Sequence, residues 1–332
     1  MSVERRYSGS LIGQCLGDAL GFVVEGEPPE ICRKYVEKTL KAGRVGEHGR
    51  TPFPFGQYSD DSQLARELLQ SYAECGGFDP REYARRIAVI FVENRIVGRG
   101  RATEQAAWRL AAGVPWDEAG TPYPSAGNGS AMRAGPIGLL FSDDPEEMVR
   151  AAHNQGRITH RDPRCSAGAV AIAGAVAMAV RGGEIEAGRF LSQLAEWAAL
   201  FEGSVVDALR QLVEWVPLPP EEVATLVSGI GHNPDYPAEV CGISPFVTTS
   251  VLWSLYSFLR SPNDYRETVR TAIAVGGDVD TTAAMAGAIS GAYLGLDAIP
   301  ESWARRVTDR GSWGYDELVW LARRCHELKS RR

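Results

Sequence analysis

Two acidic doublets, each with hydroxyl residues beside it, are the parts of this sequence most suited to chemistry. Residues 59–62 read Ser-Asp-Asp-Ser, and residues 278–282, more than two hundred positions later, read Asp-Val-Asp-Thr-Thr. Neighbouring carboxylates repel one another unless something neutralises them. Mg²⁺ and Mn²⁺ take about six oxygen ligands, commonly from carboxylates, hydroxyls and water. Two such segments facing each other would supply four carboxylates and two hydroxyls, which is enough for a site with two metal ions.

Helix capping is the simpler explanation of each doublet. The first doublet precedes a helix predicted to begin near Ser62, and the second opens the Ala- and Gly-rich segment 283–295. Free backbone N–H groups and the macrodipole favour negative charge at a helix N-terminus, and Asp and Ser are ordinary N-caps. Each helix needs one acceptor, however, and each segment offers two carboxylates and a hydroxyl. Both explanations stay open at this point.

The elements that must position these residues are helices. Apolar residues recur at helical spacing in residues 62–74, and a further helix is predicted from an N-cap at Thr103 to a stop at Gly113. Alternation typical of strands is nearly absent. Clusters of Pro and Gly interrupt the pattern at 26–30, 51–57, 120–130, 217–220 and 232–237. Because no low-complexity linker or internal repeat divides the chain, we predict one all-α domain over residues 1–332.

Composition narrows the class of protein. The net charge is −7 and there is no dense Lys/Arg run, which argues against nucleic acid as a partner. The apolar segment 165–180 is shorter than the roughly 20 residues of a membrane span, so we predict a buried helix and no membrane partner. The N-terminus lacks the apolar core of a signal peptide. Six cysteines without CxxC spacing indicate neither a zinc site nor a disulfide framework, and we expect a cytoplasmic protein.

Five motifs now stand out in register: GQCLGDALGFVVEGEP (13–28), YSDDSQ (58–63), GNGSAMR (127–133), ITHRDPRC (158–165) and GGDVDTTAAMAGAISGAYLG (276–295). Together they resemble the ADP-ribosylglycohydrolase family, which includes dinitrogenase reductase-activating glycohydrolases and ADP-ribosyl-acceptor hydrolases. Each motif alone could occur by chance, whereas five in the same order over nearly the whole chain are specific. The resemblance implies a single-domain, all-α orthogonal helical bundle of this family's type.

The resemblance also implies a binuclear metal site and a catalytic acid. The family's Thr-Asp-Asp motif matches Ser59-Asp60-Asp61, with Ser where Thr is usual, and a Ser hydroxyl can still ligate a metal ion. The family's late motif matches Asp278, Asp280 and Thr281. The implied cofactors are two divalent cations, Mg²⁺ or Mn²⁺. Glu25 falls where the family keeps an acidic residue beside the metals, and we predict that it acts as the general acid or base.

The implied substrate contacts come from four further segments. The loop after residue 126 resembles the family's diphosphate- and ribose-binding segment, a family histidine lies near the site, an aromatic residue contacts the nucleotide end, and two glycines precede the second doublet. The matching residues are Gly127, Asn128, Gly129, Ser130, His160, Phe246, Gly276 and Gly277. The match at Phe246 is the loosest of these.

The function that follows is the removal of ADP-ribose from a modified acceptor. The hydrolase would cleave the N- or O-glycosidic bond at the anomeric carbon of the distal ribose, through an oxocarbenium-like transition state. Its partners would be an ADP-ribosylated protein or a small-molecule ADP-ribose conjugate, with ADP-ribose as a product. The sequence does not name the acceptor, which in this family is arginine, serine, an acetyl group or another group.

Two alternatives belong to other classes. A non-catalytic relative that binds ADP-ribose would use the same cleft without turnover. The sequence Asp278-Val-Asp280-Thr-Thr also reads as the DxDxT nucleophile motif of a haloacid-dehalogenase-type phosphatase. That fold builds a parallel sheet after the motif, and only 54 mostly helical residues follow Asp278 in a chain of 332. The phosphatase is therefore the weaker alternative.

Overall fold

The computed structural model describes residues 1–47, 49–232 and 241–331. The predicted break at 232–237 lies, apart from its first residue, outside the described residues. Sixteen α-helices are found in the described ranges: α1 Val3–Phe22, α2 Pro29–Tyr35, α3 Asp60–Cys75, α4 Pro80–Val92, α5 Arg101–Ala111, α6 Gly135–Leu140, α7 Pro145–Arg157, α8 Pro163–Arg181, α9 Ala187–Ala198, α10 Gly203–Trp215, α11 Pro220–Ser228, α12 Val247–Arg260, α13 Tyr265–Ala274, α14 Val279–Leu294, α15 Glu301–Ala304 and α16 Tyr315–Ser330. A π-helical turn covers Val36–Leu40, and 3₁₀ turns cover Asn128–Ser130 and Leu296–Ala298.

The predicted all-α class is confirmed. The described parts of the chain contain no β-strand, only isolated bridges such as those joining Gly127 to Phe246 and Ile243 to Gly277. One hydrophobic cluster draws buried side chains from all sixteen helices. A haloacid-dehalogenase phosphatase needs a sheet around its DxDxT motif. Because this fold has no such sheet in the described residues, the phosphatase alternative is wrong.

Helix α8 is the apolar segment that the sequence marked as a buried helix. By length and composition Pro163–Arg181 could cross a membrane, but 83% of its most apolar window is buried inside the protein. Its small residues let neighbours approach closely: a Cβ on Gly138 of α6 would lie 2.1 Å from the carbonyl oxygen of Ala173. The helix is therefore part of the core.

A row of glycines on α1 brings this helix unusually close to α14. Gly9, Gly13, Gly17 and Gly21 recur every four residues and so share one face of the helix. A Cβ at any of them would lie between 2.1 and 2.4 Å from a carbonyl oxygen of α14. The opposing α14 residues run antiparallel, from Gly291 down to Val279. Backbone contact between the two helices therefore fixes the end of α1 beside the start of α14.

Candidate active site

The two acidic doublets meet in one cavity of about 260 Å³. Its lining includes five carboxylates, a glycine-rich loop, a histidine and the start of α5. The predicted site residues among the lining are Glu25, Asp60, Asp61, Gly127, Asn128, Gly129, His160, Asp278, Asp280 and Thr281. Tertiary packing has thus joined segments that are far apart in the sequence.

The carboxylates form two overlapping groups that share Asp280. Oxygen atoms of Asp18, Asp61 and Asp280 lie within 4.8 Å of one another, and so do oxygen atoms of Glu25, Asp278 and Asp280. No Lys or Arg side chain ion-pairs with any of the four doublet carboxylates in the described chain. Several carboxylate oxygens this close together are the kind of ligands that Mg²⁺ and Mn²⁺ prefer.

Helix capping does not account for the doublets. Asp60 and Asp61 lie inside the first turn of α3, one to two residues earlier than the predicted helix start, and the N-cap is Ser59, whose hydroxyl accepts from the N–H of Asp61 at 3.4 Å. Asp278 is the N-cap of α14 but makes no side-chain capping bond. The Oδ1 atom of Asp61 is buried and has no hydrogen-bond partner in the described chain. A buried carboxylate oxygen left unpaired in an acidic cluster fits a cation.

Other side-chain contacts of the doublets involve the backbone N–H of Thr281, which donates to Asp280 Oδ1 at 2.9 Å, together with hydroxyls and a side-chain amide. The Ser59 hydroxyl donates to Asp61 Oδ2 at 2.8 Å, and the Thr281 hydroxyl donates to Asp278 Oδ1 at 3.0 Å. The side-chain amide of Asn128 donates to Asp278 Oδ2 and, at 2.9 Å, to Ser250. These contacts bring the oxygens of both doublets and the start of the glycine loop together. The side chains present therefore fit a divalent cation; that two ions are held by Ser59, Asp60, Asp61, Asp278, Asp280 and Thr281 stays a prediction.

Burial raises the pKa of every carboxyl group in the doublets. It raises the pKa of Asp60 to about 7, with further contributions from the charges of Asp18 and Glu25. It raises the pKa of Asp278 to about 6, and those of Asp61 and Asp280 well above the usual range. Charged neighbours that are not compensated cause the additional increase. A bound cation would remove this penalty, because metal binding favours the ionised form of its ligands.

Glu25 lies in the turn after α1, beside Asp278 and Asp280. Two backbone hydrogen bonds hold this turn: Gly26 N–H donates to Gly277 at 2.8 Å, and Gly277 N–H donates to Glu27 at 3.0 Å. The Glu25 carboxylate pairs with Arg50, and its side chain remains 35% exposed. It is thus positioned next to the cluster while keeping contact with solvent.

Four predicted substrate residues do not line the cavity. The Ser130 hydroxyl is buried and donates to the carbonyl oxygen of Cys165 at 2.9 Å, because the loop enters a 3₁₀ turn there and directs the side chain into the core. Gly276 and Gly277 have φ of 79° and 83°, a backbone conformation that favours glycine, and they form the turn that carries the Glu25 segment. The buried Phe246 pairs through its backbone with Gly127 while its ring lies 5.5 Å from the Arg164 guanidinium. Any contact of these four with substrate remains a prediction.

His160 lies against the glycine loop. Burial lowers its pKa to about 3, helped by the Arg133 guanidinium, so the imidazole is neutral. Nδ1 is 2.8 Å from the Thr159 hydroxyl, which itself accepts from Arg133 at 2.7 Å. A Cβ on Gly129 would lie 2.7 Å from His160 Cε1 and 3.3 Å from Nε2. The loop therefore needs glycine where it passes the imidazole edge.

Sequence reasoning missed Asp18, although it lies inside one of the quoted motifs. This fully buried carboxylate accepts from the N–H groups of Ser59 at 2.9 Å and Ser62 at 3.0 Å. It caps α3 from another helix, and burial raises its pKa to about 7. A lone acidic residue among the small and apolar residues of 11–22 was the available signal. Asp18 joins α1, α3 and the metal-ligand candidates into one unit.

The segment before α5 was also missed. Asp60 N–H donates to the Val97 carbonyl at 2.6 Å, and a Cβ on Gly98 would lie 2.5 Å from Asp60 Oδ1. The predicted N-cap of α5 was wrong: Gly100 is the N-cap, and Thr103 lies in the first turn and lines the cavity. The propensity of Thr for N-caps suggested the wrong residue, because the sequence contains two glycines just upstream that permit an earlier start.

The model of the ADP-ribosylglycohydrolase family matches residues 1–332, the whole chain. The chain belongs to the ADP-ribosylglycohydrolase family. It is 31% identical to the ADP-ribosylhydrolase ARH3 of Xenopus tropicalis, over 98% of this chain and 97% of that protein. It is 26% identical to the ADP-ribosyl-[dinitrogen reductase] glycohydrolase of Rhodospirillum rubrum, over 92% of this chain and 91% of that protein.

A solved structure agrees with this membership in the ADP-ribosylglycohydrolase family. An ADP-ribosylglycohydrolase-related protein complex superposes with a TM-score of 0.74 at 28% identity, over 98% of this chain and 99% of that one. The resemblance inferred from five motifs is therefore confirmed, together with the family's fold and the expectation of a glycosidic-bond hydrolase.

Proposed function

We propose that this protein is a metal-dependent hydrolase that cleaves the glycosidic bond at the anomeric carbon of the distal ribose of an ADP-ribosyl group. The acceptor would leave through an N- or O-linked bond, and ADP-ribose would be the product. The observation that carries the proposal is the meeting of both acidic doublets in one cavity, with Asp61 Oδ1 buried and unpaired. Family membership supports the same substrate class.

The chain's own groups have separate tasks in this proposal. Glycosidic cleavage builds positive charge on the anomeric carbon and negative charge on the leaving atom. Glu25, half-buried at the rim of the acidic cluster, is the group that would give a proton to the leaving acceptor or take one from the attacking water. Arg50 holds its side chain through their ion pair. When bound, the two divalent cations would polarise oxygen atoms of the ribose and water as Lewis acids.

The wall of the cavity formed by the glycine-rich loop would hold the rest of the ligand. Backbone N–H groups of a glycine-rich turn can face an anion without steric conflict from a side chain. Gly127, Asn128 and Gly129 line this wall, and Asn128 also contacts Asp278. A ligand bound along this wall would therefore have its ribose end directed to the carboxylates.

The experiment that tests the proposal measures release of ADP-ribose. Peptides carrying ADP-ribose on serine or on arginine, and O-acetyl-ADP-ribose, would be incubated with the protein in Mg²⁺, Mn²⁺ or EDTA. The names of the relatives, an ADP-ribosylhydrolase and an ADP-ribosyl-[dinitrogen reductase] glycohydrolase, support a protein-linked substrate. We expect metal-dependent release from at least one substrate. Tight ADP-ribose binding without release from any of them would favour the non-catalytic relative instead.

The same assay tests the metal-ligand assignment with Asp60→Asn. Removing a residue that only orients a metal ligand costs about 10- to 100-fold in affinity or activity, so the loss of a ligand should lower turnover by at least about 100-fold while the protein stays folded. Asp207→Asn is the matched control, because that side chain is exposed on α10. Full activity in the Asp60 variant would contradict the two-metal assignment.

A further inference from the structure

A second cavity, of about 630 Å³, lies between α2, α11, α12 and α13 and shares no lining residue with the active-site cavity. This volume is within the range of protein sites that bind small molecules. The apolar side chains on its wall include Val36, Ala224, Trp253, Ala274 and Val275. The cavity is therefore large enough, and apolar enough, for the body of a small organic molecule.

Arg270 of α13 brings a guanidinium group to this cavity and leaves it incompletely paired. Its side chain is only 19% exposed, and the Glu267 carboxylate is 3.7 Å away, which is too far for a hydrogen bond. One guanidinium N–H donates to the Leu40 carbonyl at 3.3 Å, and the buried Nε has no hydrogen-bond partner in the described chain. A largely buried guanidinium requires more acceptors than these. An anion in the cavity would supply them.

Arg33 of α2 adds a second guanidinium group to the lining. It is exposed, its Nε donates to the Pro29 carbonyl at 3.2 Å, and it forms no ion pair with the described residues. Lys41 differs, because Glu37 pairs with it at 2.6 Å. Glu221 is the one carboxylate of the lining without an ion pair in the described chain, and it is exposed to water, which screens its charge. The two arginines are thus the charged groups of the lining that are free to bind a ligand.

The cavity also borders the turns that position the catalytic carboxylates. Pro29 and Val275 both line it. A Cβ on the first glycine of the Gly276–Gly277 turn would lie 2.7 Å from the backbone nitrogen of Pro29. The same turn is bonded through its backbone to the segment that carries Glu25. A molecule in this cavity would therefore contact the support of the active site without entering it.

We infer that this cavity is a second ligand site, which takes a small organic anion with an apolar body. The anionic group contacts the guanidinium groups of Arg270 and Arg33, and the apolar body packs against the side chains of Val36, Ala224 and Val275. Guanidinium groups suit carboxylate, phosphate and sulfonate groups alike, because each presents two or more oxygen acceptors. The inference goes beyond the proposed function and does not depend on it, because none of these residues lines the active site.

The test is fluorescence titration of the whole protein with anilinonaphthalene sulfonate, an aromatic anion that emits strongly when it leaves water. We expect saturable binding of one probe molecule per chain. Arg270→Gln should raise Kd by about tenfold or more, the loss expected for a hydrogen bond to a charged group. Arg33→Gln should raise Kd several-fold, because that side chain is exposed. Arg81→Gln is the matched control: this exposed arginine lines a groove of about 620 Å³ between α4 and α5, and its loss should leave Kd unchanged.

A steric variant tests the apolar part of the site. Ala224→Phe places a ring in the cavity and keeps both guanidinium groups, so it should abolish probe binding. Thermal melts with Mg²⁺ or EDTA should show the same metal-dependent shift in this variant as in wild type, because the active site is unchanged. Should Arg270→Gln fail to fold, Arg33→Gln and Ala224→Phe decide the question.

The outcomes separate this cavity from the other places where the probe could bind. An excess of ADP-ribose with Mg²⁺ should leave the probe bound, because the two cavities are separate. Displacement of the probe by ADP-ribose would place the probe in the active site and overturn the inference. Binding that Arg81→Gln weakens as much as Arg33→Gln would overturn it, and so would a Kd that is unchanged in Arg270→Gln, Arg33→Gln and Ala224→Phe.

Discussion

At the scale of single residues, exposure separates Glu25 from four of the five acidic residues around it, while Asp278 is half-buried like Glu25. Asp18, Asp60, Asp61 and Asp280 are at most 8% exposed, whereas the Glu25 side chain is 35% exposed and pairs with Arg50. A buried carboxylate in a cluster is suited to hold a cation, because a cation relieves both its desolvation and its repulsion. A general acid or base must exchange protons with solvent between turnovers. Glu25 meets that requirement better than the buried residues.

Glu25→Gln should slow hydrolysis without removing the metal site. A positioned general acid or base contributes about 10²- to 10⁴-fold to the rate, so we expect a loss of that order in kcat. The metal-dependent shift in a thermal melt should persist, because the four Asp residues of the doublets are intact. Glu27→Gln, two residues away and exposed, is the matched control. Unchanged turnover in Glu25→Gln would remove this residue from the mechanism.

At the scale of elements, the contact between α1 and α14 determines the site. The glycines of α1 let its backbone touch that of α14, so that Asp18 near the end of one helix meets Asp280 at the start of the other. Asp18 in turn binds the N-terminus of α3, and Gln14 of α1 donates to the Asp61 carbonyl at 3.1 Å. Short backbone contacts and buried hydrogen bonds thus fix the positions of α1, α3 and α14 relative to one another.

Gly17→Ala should destabilise the protein strongly. Its Cβ would lie 2.1 Å from the carbonyl oxygen of Ala283, which is backbone and cannot rotate away. Overpacking a close contact costs about 1–3 kcal/mol, and more where the backbone must move. We therefore expect a fall of at least about 3 kcal/mol in the free energy of unfolding, measured by urea denaturation.

Gly203→Ala provides the comparison. A Cβ at Gly203, the first residue of α10, would meet no atom within 4 Å. Alanine there should leave stability unchanged or raise it by up to about 1 kcal/mol, since it restricts the unfolded chain. Equal stabilities for the two variants would contradict the close approach of α1 and α14.

At the scale of the whole molecule, folding concentrates negative charge in one place. Segments near residues 18, 25, 60 and 280 each contribute carboxylates to the acidic cluster, where burial raises the pKa of Asp18 and Asp60 to about 7 and that of Asp278 to about 6. Without a cation, the folded protein holds protons that the unfolded chain releases near pH 4. Folding and metal binding are therefore linked to pH.

The sign of this linkage gives a testable pH dependence. Because these folded-state pKa values are raised, the metal-free protein is favoured at low pH and loses this contribution as pH rises from about 4 through about 7. Cation binding should grow stronger over the same range, because its ligands must be ionised. We expect thermal melts with Mn²⁺ and with EDTA to coincide near pH 5 and to separate by several degrees near pH 8. A separation that is the same at both pH values would contradict ligation by these carboxylates.

Much of this protein was determined by the sequence alone. The 3.6-residue periodicity predicts helices from local side-chain pattern, and the adjacent carboxylates at 60–61 and 278–280 mark chemistry without any knowledge of the fold. The order of five motifs identified the family, and the resemblance to it implied roles for Glu25 and the glycine loop. These patterns can be recognised without knowledge of the fold because each depends on residues within a few positions of one another.

Only the tertiary structure decided which atoms act together. Asp18 joins the acidic cluster, the Ser130 hydroxyl faces the core, and Thr103 lines the cavity. Each outcome depends on contacts across the chain, such as the pairing of α1 with α14, and on the exact rotation of a helix or turn. Local propensity makes Thr103 an ordinary N-cap, whereas the upstream Gly98 and Gly100 allow the chain to pass Asp60 and start α5 earlier. Long-range packing outweighs a local preference worth about 1 kcal/mol.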